Sequence, residues 1–240
     1  MPVPDDVRHE MESLQLTLDE GQLDQLDHYL ALLLDASARV NLTAVKDRDA
    51  AWRRLILDSL TLVPGLEGVE PGGRVIDVGS GGGLPGIPLA IARPDLAFTL
   101  LEATGKKARC LEAFVAALQL SHVRVLCDRA EAVGHRRGER AAYDVAVCRA
   151  VGQVREIVEY MLPLVREGGR VLALKATQAD AELDAAGDAI QTLGGGQIEM
   201  FDAYPTPRPD DPLVVIVIEK ERPTPREYPR APGLPRHAPL

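Results

Sequence analysis

Two acids and a run of glycines are the residues of this chain whose types and spacing could do chemistry. Asp77-x-Gly79-x-Gly81-x-Gly83 leads to Gly86, and Glu102 stands 23 residues after Gly79. Gly81-x-Gly83-x-x-Gly86 fits the dinucleotide fingerprint letter for letter. A Walker loop is excluded, because no Gly-Lys-Ser/Thr follows. Asp77 would repel a pyrophosphate and favours a ligand that carries an ammonium group. Glu102 can accept hydrogen bonds from both hydroxyls of a ribose. S-adenosylmethionine, with ribose, adenine and a zwitterionic amino acid, fits both acids. A nicotinamide or other nucleotide is one alternative. A plain tight turn with Glu102 solvated is the other. Five glycines within eight residues, Gly79 to Gly86, argue for the close approach of something to the backbone.

The elements that must hold these residues are legible in the hydrophobic pattern. Arg74–Val78 reads as a strand, the glycine loop follows, and a helix runs to Ala92 before Pro94. Ala97–Glu102, Val123–Asp128, Tyr143–Ala150 and Gly168–Ala176 read as further strands. Gly105–Leu120, Val154–Val165 and Asp180–Leu193 read as helices between or after them. Gly196–Tyr204 and Pro212–Lys220 close the series with a connection too short for a crossover helix, so one of them runs antiparallel. Five β-α units of short apolar strands require a parallel sheet covered on both faces. The expectation is an α/β, Rossmann-like fold: a seven-stranded, mostly parallel sheet with one antiparallel strand. Ligands of such sheets sit at the carboxyl ends of the strands, near the switch in strand order.

Ahead of the sheet, residues 1–70 read as a helical N-terminal extension. Leu23, Leu26, Leu30, Leu33 and Leu34 share a helical face, and Asp19 with Gln22 forms a capping box. A second helix starts at Asp47 or Asp49, carries Trp52, Leu55, Ile56, Leu60 and Val63 on its apolar side, and stops at Pro64-Gly65. Residues 71–220 form the ligand-binding domain, and residues 221–240 a basic, proline-rich tail.

The chain has 240 residues, 46% of them hydrophobic, which allows one large domain with a small extension. No run of about 18 apolar residues occurs, and the N-terminus lacks an apolar signal core, so the expected compartment is the cytoplasm, with no membrane partner. Cys110, Cys127 and Cys148 are odd in number and lack a CxxC spacing; they read as buried reduced thiols, with no metal site. A net charge of -9 argues against nonspecific nucleic-acid binding. Two local basic stretches oppose it: Arg136, Arg137 and Arg140, and the segment from Arg222 to Leu240 with four arginines and six prolines. Nothing in the pattern calls for an oligomer, so a monomer is expected.

Together these motifs resemble the class I S-adenosylmethionine-dependent methyltransferases. Asn41–Val45 (NLTAV), Leu55–Leu60 (LILDSL), Val75–Ala90, Cys148–Ala150 and Leu172–Ala176 narrow the resemblance to the small-subunit ribosomal RNA methyltransferase G family, over residues 40 to 240. Leu55 stands where a histidine is common, and Ala176 where glycine is common. The resemblance implies methyl transfer to N7 of a guanine in a decoding-region loop of 16S rRNA. It implies that Gly79, Gly81 and Leu84 line the methionine half of the cofactor, that Glu102 holds the ribose, and that Ala103 and Thr104 pass beside the adenosine. Ala130 and Glu131 would edge the adenine. Arg149 would face the reacting centre and hold the methionine carboxylate or guanine O6. Asn41, Arg54, Asp58, Ser59 and Lys175 would face RNA, with turn-forming, internal or solvated roles as their alternatives. Lys106, Lys107 and Arg109 oppose a helix dipole, which suggests a phosphate contact or a solvated face. The tail is expected against the domain surface or RNA. A same-fold enzyme for a small molecule or protein, a non-catalytic RNA-binding module and a nicotinamide enzyme are the rival readings.

Overall fold

The computed structural model describes residues 3–176, 179–206, 208 and 212–240. Its sheet has the order β3-β2-β1-β4-β5-β7-β6. The strands are β1 (Arg74–Val78), β2 (Ala97–Leu101), β3 (Val123–Leu126), β4 (Tyr143–Arg149), β5 (Val165–Lys175), β6 (Gly195–Asp202) and β7 (Val214–Lys220). β1 to β5 pair in parallel. β7 runs antiparallel to both its neighbours, as the short β6–β7 connection demands. The strand order reverses between β1 and β4, which places the ligand-binding crevice over their carboxyl ends.

One face of the sheet is covered by α1 (Asp5–Ser13), α2 (Glu20–Ser37), α5 (Gly86–Ala92) and α6 (Gly105–Ala117). Their apolar residues join Val75, Phe98, Val145 and Leu172 in a single core cluster. The N-terminal helices therefore share the core of the sheet. The opposite face is covered by α8 (Val154–Met161) and α9 (Ala179–Thr192), packed on Ile76, Ala146, Cys148 and Val171.

Local signals hold where they are strong. Asp19 Oδ1 accepts from the Gln22 amide at 2.8 Å while Gln22 Oε1 accepts from the Asp19 amide at 2.9 Å, closing the capping box of α2. Asp47, not Asp49, caps α3 (Arg48–Ala51), accepting from the Ala50 amide at 2.8 Å. The next turns depart from a regular α-helix. Trp52–Leu57 is π-helical and leads into α4 (Asp58–Leu60). Every residue from Leu55 to Leu62 is buried, because this segment is enclosed by its neighbours rather than lying on them with one face.

One expectation fails. Only Cys148 is buried; Cys110 is half-buried and Cys127 is exposed, because edge strand β3 ends at Leu126. The tail contains a short helix, α10 (Leu234–His237), with Pro235 in its first turn, where a missing N–H costs nothing.

Candidate active site

The glycine loop leaves β1 at Gly79. The amides of Gly79 and Ser80 both donate to the Leu101 carbonyl, at 2.9 and 3.0 Å, which ties the loop to the end of β2. Glu102 follows at once and is only 7% exposed. Its Oε2 accepts from the Gly81 amide at 2.9 Å and its Oε1 from the Thr104 amide at 2.7 Å. Two backbone donors thus fix the carboxylate, and each oxygen keeps a second lone pair for another donor.

Asp77 lies beneath the loop with no exposure. Its Oδ2 accepts from the Ser80 hydroxyl and, at 3.0 Å, from the Gly86 amide, while Oδ1 has no partner among the described residues. Burial pushes its carboxyl up to about 7. Asp77 reaches the loop from the α5 side and does not line the cleft described next. The glycines divide in the same way. Gly79, at φ +76, lines the cleft. Gly82 instead admits α2: a Cβ there would stand 2.8 Å from Leu33 Cδ1, and buried Tyr29 donates to the Gly82 carbonyl at 2.9 Å. At that position the close approach read from the sequence is made by the protein's own helix.

A cleft of about 540 Å³ opens over the ends of β1 to β4. That lies within the roughly 300–1,000 Å³ of small-molecule sites. Gly79, Ala103, Ala130 and Glu131 line it, as anticipated; Gly81, Glu102 and Thr104 lie next to these in the chain but are not among its lining residues, and Leu84 packs on the core. Asp128, Val151, Tyr160 and Arg236 line it as well and were not anticipated. Asp128 carried a signal, being an acid just past the third strand. Tyr160, on α8, and Arg236, in the tail, carried none. Burial, helped by Glu131, Glu156 and Glu159, pushes the Tyr160 hydroxyl up to about 12.

A second cavity, of about 360 Å³, opens beside the first and is lined by Val45, Arg54, Asp58, Arg149, Ala150, Leu174, Lys175, Ala176 and Leu213. Arg149 leaves the end of β4 and clamps the π-helical segment. It donates to the carbonyls of Arg54 and, at 3.3 Å, Leu55, and pairs with Asp58 Oδ2 at 3.3 Å. Burial pulls the Arg149 pKa below its ordinary value, and Asp58 opposes that shift. Asp58 Oδ1 accepts from the Tyr204 hydroxyl at 2.5 Å, and Arg208 stacks 3.7 Å over the Tyr204 ring. Lys175 donates to the Gly152 carbonyl at 2.9 Å and pairs with Glu182 at 2.8 Å. Ser59 turns inward, donating to the Leu55 carbonyl at 2.6 Å, and Asn41 lies exposed past the end of α2; neither is among the residues lining these two cavities. Arg53 bonds Asp6 at 2.6 Å, and Lys106 and Arg109 face a separate groove against α2. Ala150 lines both cavities and holds φ +54, a conformation uncommon outside glycine.

The sequence model described as rRNA small subunit methyltransferase G matches residues 22–204. The chain is 43% identical over 225 residues to the ribosomal RNA small subunit methyltransferase G of Moorella thermoacetica, covering 94% of this chain and 93% of that protein. This chain belongs to the rRNA small subunit methyltransferase G family. A second member, from Chloroflexus aggregans, is 44% identical over 226 residues, again covering 94% and 93% of the two chains. Solved structures agree on the fold. A protein from Corynebacterium glutamicum superposes with a TM-score of 0.54 at 18% identity, covering 91% of this chain and 97% of that one. A precorrin-6y C5,15-methyltransferase from Geobacter metallireducens gives 0.51 at 14% identity, covering 69% and 88%. The α/β class I methyltransferase fold and the family expected from the motifs are thus both borne out.

Proposed function

We propose that this chain transfers a methyl group from S-adenosylmethionine to N7 of a guanine in a decoding-region loop of 16S rRNA. Family membership supports the reaction class. The observation that carries the reading is Ala150, which separates a cleft suited to the donor from a cavity suited to the base.

The residues of the first cleft fit S-adenosylmethionine. Glu102 is fixed by two amides and still has a free lone pair on each oxygen, the acceptor set a ribose diol needs. Ala103 and Thr104 would pass beside the adenosine, and Ala130, Glu131 and Asp128 would edge the adenine. Gly79 would flank the methionine half, with Gly81 and Leu84 shaping the loop behind it. Asp77 would act from below, through the loop it holds.

S-adenosylmethionine, when bound, supplies an activated sulfonium methyl, and guanine N7 carries its own lone pair, so no general base is required. The chain's own work is alignment and the exclusion of water. Arg149 is the residue placed for it. Its guanidinium offers donors to guanine O6, and Asp58 and two backbone carbonyls fix its plane. Asn41, Arg54 and Lys175 would meet the RNA around that base, and buried Ser59 would hold the segment that carries Asp58. On this reading residues 1–70 flank the base cavity, residues 71–220 carry the cofactor and residues 221–240 form the basic tail. The enzyme works as a cytoplasmic monomer on small-subunit rRNA or on the small ribosomal subunit.

The net charge of -9 favours a second reading, a small-molecule or protein acceptor. The test is transfer from labelled S-adenosylmethionine to small-subunit rRNA that lacks its own modification, with the methylated base identified. A single 7-methylguanine supports the proposal. Tight cofactor binding without transfer to RNA moves the acceptor to the second class.

A further inference from the structure

We propose that the C-terminal tail is a wall of the cofactor cleft, and that Arg236 contacts the adenosine half of the bound S-adenosylmethionine. The proposal rests on the reading of the first cleft as the cofactor site.

By composition the tail is basic and rich in proline, and the sequence leaves it against the domain surface or RNA. The structure uses its polar groups differently. Arg230 forks onto Glu159, with Nε 2.9 Å from Oε1 and Nη2 2.6 Å from Oε2, and its own amide adds a third bond at 2.8 Å. The Glu159 side chain has no exposure at all. A buried carboxylate with this many charge-assisted donors is a fixed anchor, because its removal would leave an unpaired charge in the core. Arg140, read from the sequence as part of a local basic stretch, serves the same anchor. It donates to the carbonyls of Thr224 and Tyr228 at 2.7 Å and of Pro225 at 3.0 Å. Tyr228 and Leu240 pack on the core of the second face.

These anchors deliver α10 to the cleft. The Gly233 amide donates to Glu131 Oε1 at 2.8 Å, and Gly233 at φ +86 turns the chain into the helix. Glu131 is one of the residues read as edging the adenine, so the tail is bonded to the cleft wall itself. Arg236 then lines the cleft, and among the described residues it has no hydrogen bond or ion pair. Its neighbours in the cleft include Asp128, Glu131 and Glu156, which favour a cation there. A guanidinium is planar, stacks on aromatic rings and offers several N–H donors, which suits an adenine face and its ring nitrogens.

Removing residues 223–240 would strip partners from buried Glu159 and Glu131, so truncation confounds folding with binding. Point variants of Arg236, whose side chain is at the surface, avoid this. Calorimetry on the full chain should show Arg236→Ala weakening S-adenosylmethionine about tenfold, which is about 1.4 kcal/mol. Adenosine alone should lose a similar factor, which a merely structural role would not produce. Arg236→Lys keeps the charge without the plane and should recover only part of the loss. RNA affinity, measured with saturating S-adenosylhomocysteine, and the melting temperature should stay at the parent values. Unchanged cofactor and adenosine affinity in Arg236→Ala overturns the proposal, whether or not RNA binding falls. A drop in melting temperature in step with the lost affinity overturns it too. If the parent chain itself fails to bind S-adenosylmethionine, the cofactor reading beneath the proposal falls with it.

Discussion

The two cavities on either side of Ala150 are built in opposite ways. The first is made from consecutive strand-to-helix turns: Val78 and Gly79, Leu101 and Ala103 on either side of Glu102, Asp128 to Glu131, and Ala150 to Gln153. Backbone amides and short side chains do most of the work, each within a few residues of a strand end. The second is assembled from distant segments. Asp58 bonds Tyr204 across 146 positions, and Arg149 bonds Asp58 across 91. Its side chains hold one another in place. A donor site of this kind should lose ligand affinity when cut, and an acceptor site of this kind should lose stability and turnover.

The largest effect should follow from Asp58→Ala, which removes the charge partner of Arg149 and the hydrogen-bond acceptor of Tyr204 together. Urea unfolding should show a loss of about 3–5 kcal/mol, as for breaking one side of a buried ion pair. Cofactor affinity in the folded fraction should be unaltered. A loss of cofactor affinity would break the separation between the cavities. Next, Arg149→Ala should lower turnover about 100-fold, the cost of misaligning a reacting group. Asp58 keeps the Tyr204 hydroxyl and the Arg208 guanidinium as partners, so the fall in unfolding free energy should be smaller than the barrier that factor represents. Equal losses in both would make Arg149 a structural clamp alone.

On the donor side, Glu102→Ala should weaken S-adenosylmethionine by about 1–3 kcal/mol by calorimetry, since it removes hydrogen bonds to a charged acceptor. Parent affinity would refute the ribose assignment. The smallest effect concerns Asp77. Its folded pKa of about 7 lies above the ordinary 3.8, so its protonated form favours the fold. That contribution is complete below about pH 4 and is lost as pH rises through about 7. Asp77→Asn should remove it, so the variant should gain about 1–2 kcal/mol relative to the parent between about pH 5 and pH 8. Parallel stability profiles would place the ionised form of Asp77 at no cost in the fold.

How much of this was legible follows the same division. The sheet, its antiparallel strand, the role of Asp19 and, to within the choice of Asp47 or Asp49, the next cap come from patterns of period and capping that depend on near neighbours. Glu102 was legible because its place at a strand end suffices. Gly82 misleads a sequence reader, because a missing Cβ looks the same whether a ligand or Leu33 approaches. The π-helical turn at Trp52–Leu57 has no sequence mark, and it helps bring Asp58 to Arg149. Tyr204 sits beyond β6 and belongs to the site only after the sheet has closed. The tail is the clearest case: Arg230 and Arg140 look like RNA ligands until buried Glu159 and the tail carbonyls are found beside them.

The most direct test of the central claim is a crystal structure of the chain with S-adenosylhomocysteine. The account predicts the ribose on Glu102, the adenine between Ala103, Asp128 and Arg236, and the sulfur directed toward Ala150. Density for the nucleoside in the Arg149 cavity, or in the groove between α2 and α6, would contradict it.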